Sequence, residues 1–194
     1  MISFYAMLSR MRYINRWGLM NNTKEENISE HSHEVAILAH ALVTISNTRF
    51  GTNLDADRAA VMAMFHDASE IITGDLPTPI KYYDDEIKNA YKKIEQVSEG
   101  RLLSMLPEDL RSAYEPLIDS SKAQADLEPF VKAADKLSAL IKCICELRMG
   151  NNEFESAKRS ISAALDEMKL PALEVFMKEC LPAFELTLDE LERG

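Results

Sequence analysis

Four side chains of this 194-residue sequence carry the donors that a divalent cation takes: His31, the adjacent His66 and Asp67, and Asp135. On a helix, His66 and Asp67 point about 100° apart, so both reach only something lying over the arc between them. A metal ion in that arc accepts an imidazole nitrogen and a carboxylate oxygen. Glu70 stands four residues after His66, on the same helical face. A plainer reading is a His66–Glu70 helix pair with Asp67 turned to solvent. Asp135 lies among Phe130, Val131, Ala134, Leu137 and Ile141, and has Lys132 and Lys136 as ready partners. A lone histidine near an apolar face is commonly a hydrogen-bonded core residue. Against these readings, His, His-Asp and Asp arrive in that order from three separate helices with apolar faces. Charges there cost several kcal/mol unless they are paired or bound to metal. Four nitrogen and oxygen ligands of this kind make a coordination set with positions open to water and substrate.

The elements that must position these groups read as helices. Glycine is scarce, strand-like alternation is nearly absent, and apolar residues recur at spacings of three and four. Asn27 with Glu30 forms a capping-box pattern that opens a helix carrying His33, Ala36, Ile37, His40, Ala41 and Thr44. Asp57 is placed to cap a second helix through Val61, Met64, Phe65 and Ala68 to Ile72, with Gly74 ending it. This helix is apolar almost all round from Ala59 to Phe65 and is expected to be buried. Asp75-Leu76-Pro77-Thr78-Pro79 then predicts a stiff, non-helical loop. Further helices are expected from about Asp84 to Met105, Glu108 to Ile118, Pro129 to Met149, Glu153 to Met168 and Ala172 to Glu192. Ser120 to Asp126 reads as polar linker, and Gly150-Asn151-Asn152 as a helix stop. The expectation is one all-α domain over residues 1–194, a compact bundle of about seven or more helices with the metal site between the central ones.

Composition narrows the partners. With 22 Lys+Arg against 32 Asp+Glu the net charge is −10, which argues against nucleic acid polymers. A small anionic substrate then needs a local positive centre from an arginine or a metal ion. Val35 to Thr48, free of Asp, Glu, Lys and Arg, is 14 residues long, short of the roughly 20 that cross a bilayer. No signal peptide pattern opens the chain, and three cysteines without framework spacing suit buried thiols, so a cytoplasmic location is expected. Cys143 and Cys145 face apart on their helix, which argues against a metal or redox pair. Lys92-Lys93 and Lys132/Lys136 read as solvated faces.

The His31, His66-Asp67, Asp135 set matches the H…HD…D pattern of the HD-domain phosphohydrolases, an all-α superfamily of metal-dependent enzymes. The surrounding segments narrow the likeness. Ile14-Asn15-Arg16-Trp17, Ser29-Glu30-His31-Ser32, Phe65 to Glu70, Gly74 to Lys81 and Gly150 to Phe154 together resemble the bacterial 5′-deoxynucleotidases, over about residues 3 to 190. The resemblance implies hydrolysis of deoxyribonucleoside 5′-monophosphates, with His31, His66, Asp67 and Asp135 as metal ligands and a homodimeric state. It implies Glu70 as catalytic acid or base, Arg16 as the phosphate-orienting residue and Trp17 as part of the sugar wall. Asp75, Leu76, Pro77 and Thr78 are then expected along the nucleoside side, with His31, Asp67 and Asp135 also near the substrate. His33 and His40 have no part in the pattern and are expected in packing or at the surface.

Physical chemistry is consistent with those roles. A divalent metal lowers the pKa of its bound water and neutralises phosphoryl charge, and the loose transition state of a monoester needs mainly positioning and charge stabilisation. Arg16 offers a planar fork that lysine lacks. A ring such as Trp17 set against the 2′ carbon clashes with a hydroxyl there, although the only tryptophan of a chain is also commonly a core aromatic. Asp75 is placed to accept from a sugar hydroxyl, or else is a solvated loop charge. The ligand set accepts Co2+, Mn2+, Mg2+ or Zn2+. Two rival functions share it: an HD hydrolase of another ester (a cyclic nucleotide, a triphosphate or an alarmone), and a non-catalytic nucleotide or metal sensor. Arg16-Trp17 and the Asp75 loop favour the monophosphate, and Glu70 beside complete ligands counts against the sensor.

Overall fold

The computed structural model describes residues 1–193 apart from Tyr82, and only the backbone of Thr78. The chain runs α1 (Phe4–Leu8), α2 (Ile28–Phe50), α3 (Ala56–Phe65), α4 (Glu70–Thr73), α5 (Thr78–Lys81), α6 (Asp85–Ser104), α7 (Glu108–Ile118), α8 (Glu128–Arg148), α9 (Glu155–Asp166), α10 (Pro171–Glu179) and α11 (Leu188–Leu191). No strand occurs among the described residues, so the all-α expectation holds. An antiparallel bridge pairs Asn15 with Asn27.

The capping box predicted for α2 is present. Asn27 accepts from the Ser29 and Glu30 amides, and Glu30 accepts from the Asn27 amide. Asp84 likewise caps α6 through the Ile87 amide. The central core joins α2, α3, α8 and α10, with Val35, Leu42, Ala59, Ala63, Leu137 and Leu140 among its buried members. Each fully buried leucine or valine there contributes roughly 1.5–3 kcal/mol. A second cluster gathers Phe4, Ala68, Leu102, Leu103, Leu106 and Ile118 around the α1, α6 and α7 end, and Leu117 packs against both. Among the described residues, no helix is long and apolar enough to cross a membrane.

Several boundaries differ from expectation. The cap of α3 is Asp55, which accepts from the Arg58 amide, and not Asp57. The helix is only half buried, with Val61 37% and Met64 46% exposed. It also does not continue to Ile72. It stops at Phe65, and His66 to Ser69 form tightened turns in which Ala68, Glu70 and Ile72 amides bond carbonyls three residues back. The free carbonyls of a helix end explain the break: Ala63 O accepts from His66 Nδ1 at 2.7 Å, at the negative end of the helix where an imidazole is favoured. The expected loop over Asp75 to Pro79 is non-helical only to Pro77. Pro79 sits in the first turn of α5, where its missing N–H removes no bond. Asn152–Phe154 forms a 3-10 turn ahead of α9. The last expected helix is three pieces, since α10 gives way to a 3-10 turn at Leu181–Glu185 containing Pro182, and then to α11.

Candidate active site

His31 is fixed at the first turns of α2, His66 caps the C-terminus of α3, Asp67 follows it, and Asp135 stands on the second turn of α8. These three helices pack on one another, so the four side chains converge. His31, His66 and Asp67 offer ligand atoms that all lie within 4.8 Å of one another. Asp135 closes the set, its Oδ1 3.1 Å from His31 Nε2 and 3.9 Å from His66 Nε2. Asp67 Oδ2 lies 3.2 Å from His66 Nε2 and 3.5 Å from His31 Nε2.

The hydrogen bonds of the two imidazoles test whether the set fits a cation. His66 Nδ1 donates to the Ala63 carbonyl, so in the neutral ring that a cation binds Nε2 carries the lone pair; Nε2 is buried and without a hydrogen-bond partner. His31 Nδ1 lies 3.0 Å from Ser138 Oγ, and that hydroxyl spends its proton on Glu34 Oε2 at 2.6 Å. His31 Nδ1 is therefore the donor and its Nε2 also carries a lone pair. Two lone pairs aimed at two carboxylates repel unless positive charge lies between them. The site fits a divalent cation.

Electrostatics point the same way. Burial works against charging His66, but Asp67 and Asp135 raise its affinity for positive charge well above the ordinary imidazole range. Burial likewise opposes the Asp67 charge, and the two imidazoles, His66 foremost, still hold its carboxyl down to about 2. Burial lowers His31, outweighing the pull of the nearby Asp135 carboxylate and keeping the ring neutral.

Arg16 reaches this cluster from a different part of the chain. Its amide bonds the Glu26 carbonyl at 2.8 Å and the Ile28 amide bonds the Ile14 carbonyl at 2.9 Å, so residues 14–16 lie antiparallel to the segment entering α2. The guanidinium, 12% exposed, pairs with Glu26 at 3.0 Å and with Asp67 at 3.4 Å. Glu70, 6% exposed, has a buried Oε2 without a hydrogen-bond partner. Burial first, then the charges of Asp67 and Asp75, push its carboxyl up to about 9. The tightened turns at residues 66–69 separate it from His66, so the two do not share one face of a continuous helix as the four-residue spacing suggests.

Trp17 adopts φ +60°, a left-handed conformation that is strained for a bulky residue and characteristic of functional sites. Its amide donates to Asp75 Oδ2 at 3.2 Å, its carbonyl accepts from Asn22 Nδ2 and the Met20 amide, and its ring lies 5.3 Å from that of Phe154. Asp75 is thus no solvated loop charge, because it anchors the tryptophan backbone. Leu76 and Pro77 follow in the same half-buried loop, and the side chain of Thr78 lies outside the described residues. Among the other histidines, His33 and His40 are exposed, as expected. Lys132 pairs with Glu128 and not with Asp135. The cysteines are free, with Cys143 buried and its thiol pushed by burial up to about 12.

Glu146, absent from the sequence reading, holds the loop after Trp17 in place. Fully buried, it accepts from the Thr23 and Lys24 amides, from Asn151 Nδ2 and from Lys142 Nζ. Asn151 also donates to the Asn21 carbonyl, and Glu153 accepts from the Asn21 amide, which accounts for the Gly150-to-Phe154 segment. Burial alone raises the Glu146 carboxyl, yet these donors hold it well below the usual carboxylate range. A depressed native pKa contributes stability above the unfolded value of about 4.3, lost as pH falls toward the native value. Glu146→Ala is expected to cost about 3 kcal/mol by stranding Lys142, and to lower Tm by roughly 6–12 °C near neutral pH in thermal unfolding.

With this geometry established, the chain's relatives decide the family. The YfbR-like 5′-deoxynucleotidase description matches residues 3–184. The chain belongs to this family. It is 50% identical over 190 residues to the 5′-deoxynucleotidase of Erwinia tasmaniensis, covering 98% of this chain and 96% of that one. It is 47% identical to 5′-deoxynucleotidase YfbR of Escherichia coli over the same shares. Among solved structures, an HD-domain phosphohydrolase from Listeria innocua superposes with a TM-score of 0.83 at 22% identity, covering 99% of this chain and 92% of that one. The cyanophage S-2L HD phosphohydrolase DatZ, bound to dA and one catalytic Zn2+, superposes at 0.63 and 18% identity, covering 97% and 96%. These two likenesses give the fold: the helices of the family member described here are those of an HD domain.

Proposed function

We propose that this chain is a 5′-deoxynucleotidase, hydrolysing deoxyribonucleoside 5′-monophosphates to deoxyribonucleoside and phosphate, with a divalent cation held by His31, His66, Asp67 and Asp135. One observation carries the reading: two imidazoles, each committed through Nδ1, turn Nε2 lone pairs toward two carboxylates beside a buried arginine. Membership among 5′-deoxynucleotidases supports the substrate class. A divalent cation, when bound, lowers the pKa of a water and offsets charge on the phosphoryl oxygens. Co2+, Mn2+, Mg2+ and Zn2+ all suit this donor set.

The chain's own residues do the rest. Arg16 presents its fork to the phosphoryl oxygens, held in place by Glu26 and Asp67. Attack by water forms one P–O bond and breaks the bond to O5′, which departs needing a proton. Glu70, its buried carboxyl protonated, gives its proton to the leaving oxygen and takes back the one that the attacking water releases, with Oε2 kept free of competing partners. Trp17, with Asp75 on its amide and Phe154 behind its ring, forms the wall against the 2′ carbon. Asp75, Leu76 and Pro77 line the nucleoside side. Trp17→Ala is expected to shrink the dAMP-over-AMP preference in kcat/KM by roughly 10- to 100-fold, chiefly by admitting AMP.

We read residues 1–194 as one HD domain that works as a cytoplasmic homodimer. The free thiols support the compartment, and exposed Leu188 and Leu191 of the closing helix support the association. The function is tested by phosphate release from dAMP against AMP and dTMP against UMP, on metal-stripped protein with one of the four ions restored at a time. Deoxy-selective, metal-dependent release is expected. Equal release from both sugars removes the Trp17 argument, and no release with any ion overturns the assignment.

A further inference from the structure

The ring of His31 has two ways to carry its proton, and the competing one is attractive. With the proton on Nε2, the ring makes a charge-assisted bond to Asp135 Oδ1 at 3.1 Å, which blocks the nitrogen needed for a cation. Something must oppose that tautomer. On the other side of the ring, Nδ1 faces Ser138 Oγ at 3.0 Å. Ser138 is fully buried and His31 is 1% exposed, so solvent does not supply an alternative partner. A serine hydroxyl has one proton, and here it goes to Glu34 Oε2 at 2.6 Å. What remains toward His31 is an acceptor lone pair. Ser138 sits three residues after Asp135 on α8, and Glu34 three residues after His31 on α2, so each helix supplies one ligand and one support from the same face. Glu26 Oε1 also approaches Nδ1, at 3.5 Å, but it lies closer to Arg16 Nε, at 3.0 Å.

We propose that Ser138 and Glu34 form a directed hydrogen-bond relay that keeps the His31 proton on Nδ1 and its Nε2 ready for a cation, a positioning role that rests on the metal-centre reading above. Glu34 sets the direction. Without an acceptor there, the Ser138 hydroxyl is free to rotate and donate to Nδ1, and the ring proton moves to Nε2 and Asp135. His66 needs no such relay, because the Ala63 carbonyl accepts and never donates.

The test uses the full-length, metal-stripped chain, with Zn2+ and Mn2+ affinity measured by competition against a chromophoric chelator. Imidazole 15N spectra of the metal-free protein report the tautomer independently. Wild type is expected to bind one ion with the His31 proton on Nδ1. Ser138→Ala is expected to weaken binding by about 10- to 100-fold. Glu34→Ala is expected to weaken it about tenfold or more and to shift the His31 proton to Nε2. Glu34→Gln, whose amide oxygen still accepts, is expected to stay near wild type, a pattern that a merely packed side chain does not produce. Wild-type affinity and tautomer in both alanine variants overturn the relay and leave the metal centre standing. If wild type itself binds no ion, the metal-centre reading fails, and the 15N spectra alone decide whether the relay sets the tautomer.

Discussion

Replacing Asp67 with asparagine is expected to lower kcat/KM for dAMP at least about a thousandfold, with the fold intact. Asp67 touches three members of the cluster: His66 at 3.2 Å, Arg16 at 3.4 Å and His31 at 3.5 Å. The substitution removes a charge without changing shape, so the amide still packs and still bonds Arg16. It takes away one of two carboxylates that draw a cation between the imidazoles, and it leaves Arg16 a neutral inner partner in place of a charged one. Losing several kcal/mol of charge stabilisation at the phosphoryl group corresponds to three or more orders of magnitude. Steady-state kinetics beside thermal unfolding of the same samples checks this. Near-wild-type turnover with a normal melting curve removes Asp67 from the centre.

Glu70→Gln carries the second large effect, a fall in kcat of about 100- to 10,000-fold with KM little changed. The carboxyl is buried, its Oε2 has no hydrogen-bond partner, and burial with Asp67 and Asp75 nearby pushes it up to about 9. A neutral carboxyl and an amide of the same shape pack alike, so stability is expected within about 1 kcal/mol of wild type. Glutamine transfers no proton between water and O5′. A KM rise at unchanged kcat instead reads Glu70 as a substrate contact.

The ligand set was legible because residue type and adjacency carry it: one histidine, a His-Asp doublet and an aspartate on apolar helix faces admit few uses. The α2 capping box was equally plain, since Asn27 and Glu30 announce the helix start on which His31 depends. The break at His66 was hidden. Its cause is a side-chain N–H competing for the Ala63 carbonyl, and nothing in the apolar spacing records that competition. Trp17 hid its positive φ for a similar reason, because the conformation is held by Asp75 and Phe154 from distant parts of the chain, together with Asn22 five residues on. Ser138 and Glu34 each lie three residues from a ligand, a spacing that placed them on the right faces, but the direction of their hydrogen bonds emerges only when α2 meets α8. Glu146 reads in sequence as one more acid on a charged helix, and its hold on the Thr23 and Lys24 amides needs the fold.

The central claim is that His31, His66, Asp67 and Asp135 hold one divalent ion on which deoxynucleotide hydrolysis depends. The most direct measurement adds Co2+ or Mn2+ stepwise to metal-stripped protein and follows bound ion and dAMP hydrolysis in the same samples. Activity is predicted to rise in proportion to occupancy and to level off at about one ion per chain. Full dAMP turnover in the stripped protein, or one ion bound with no turnover, contradicts the account.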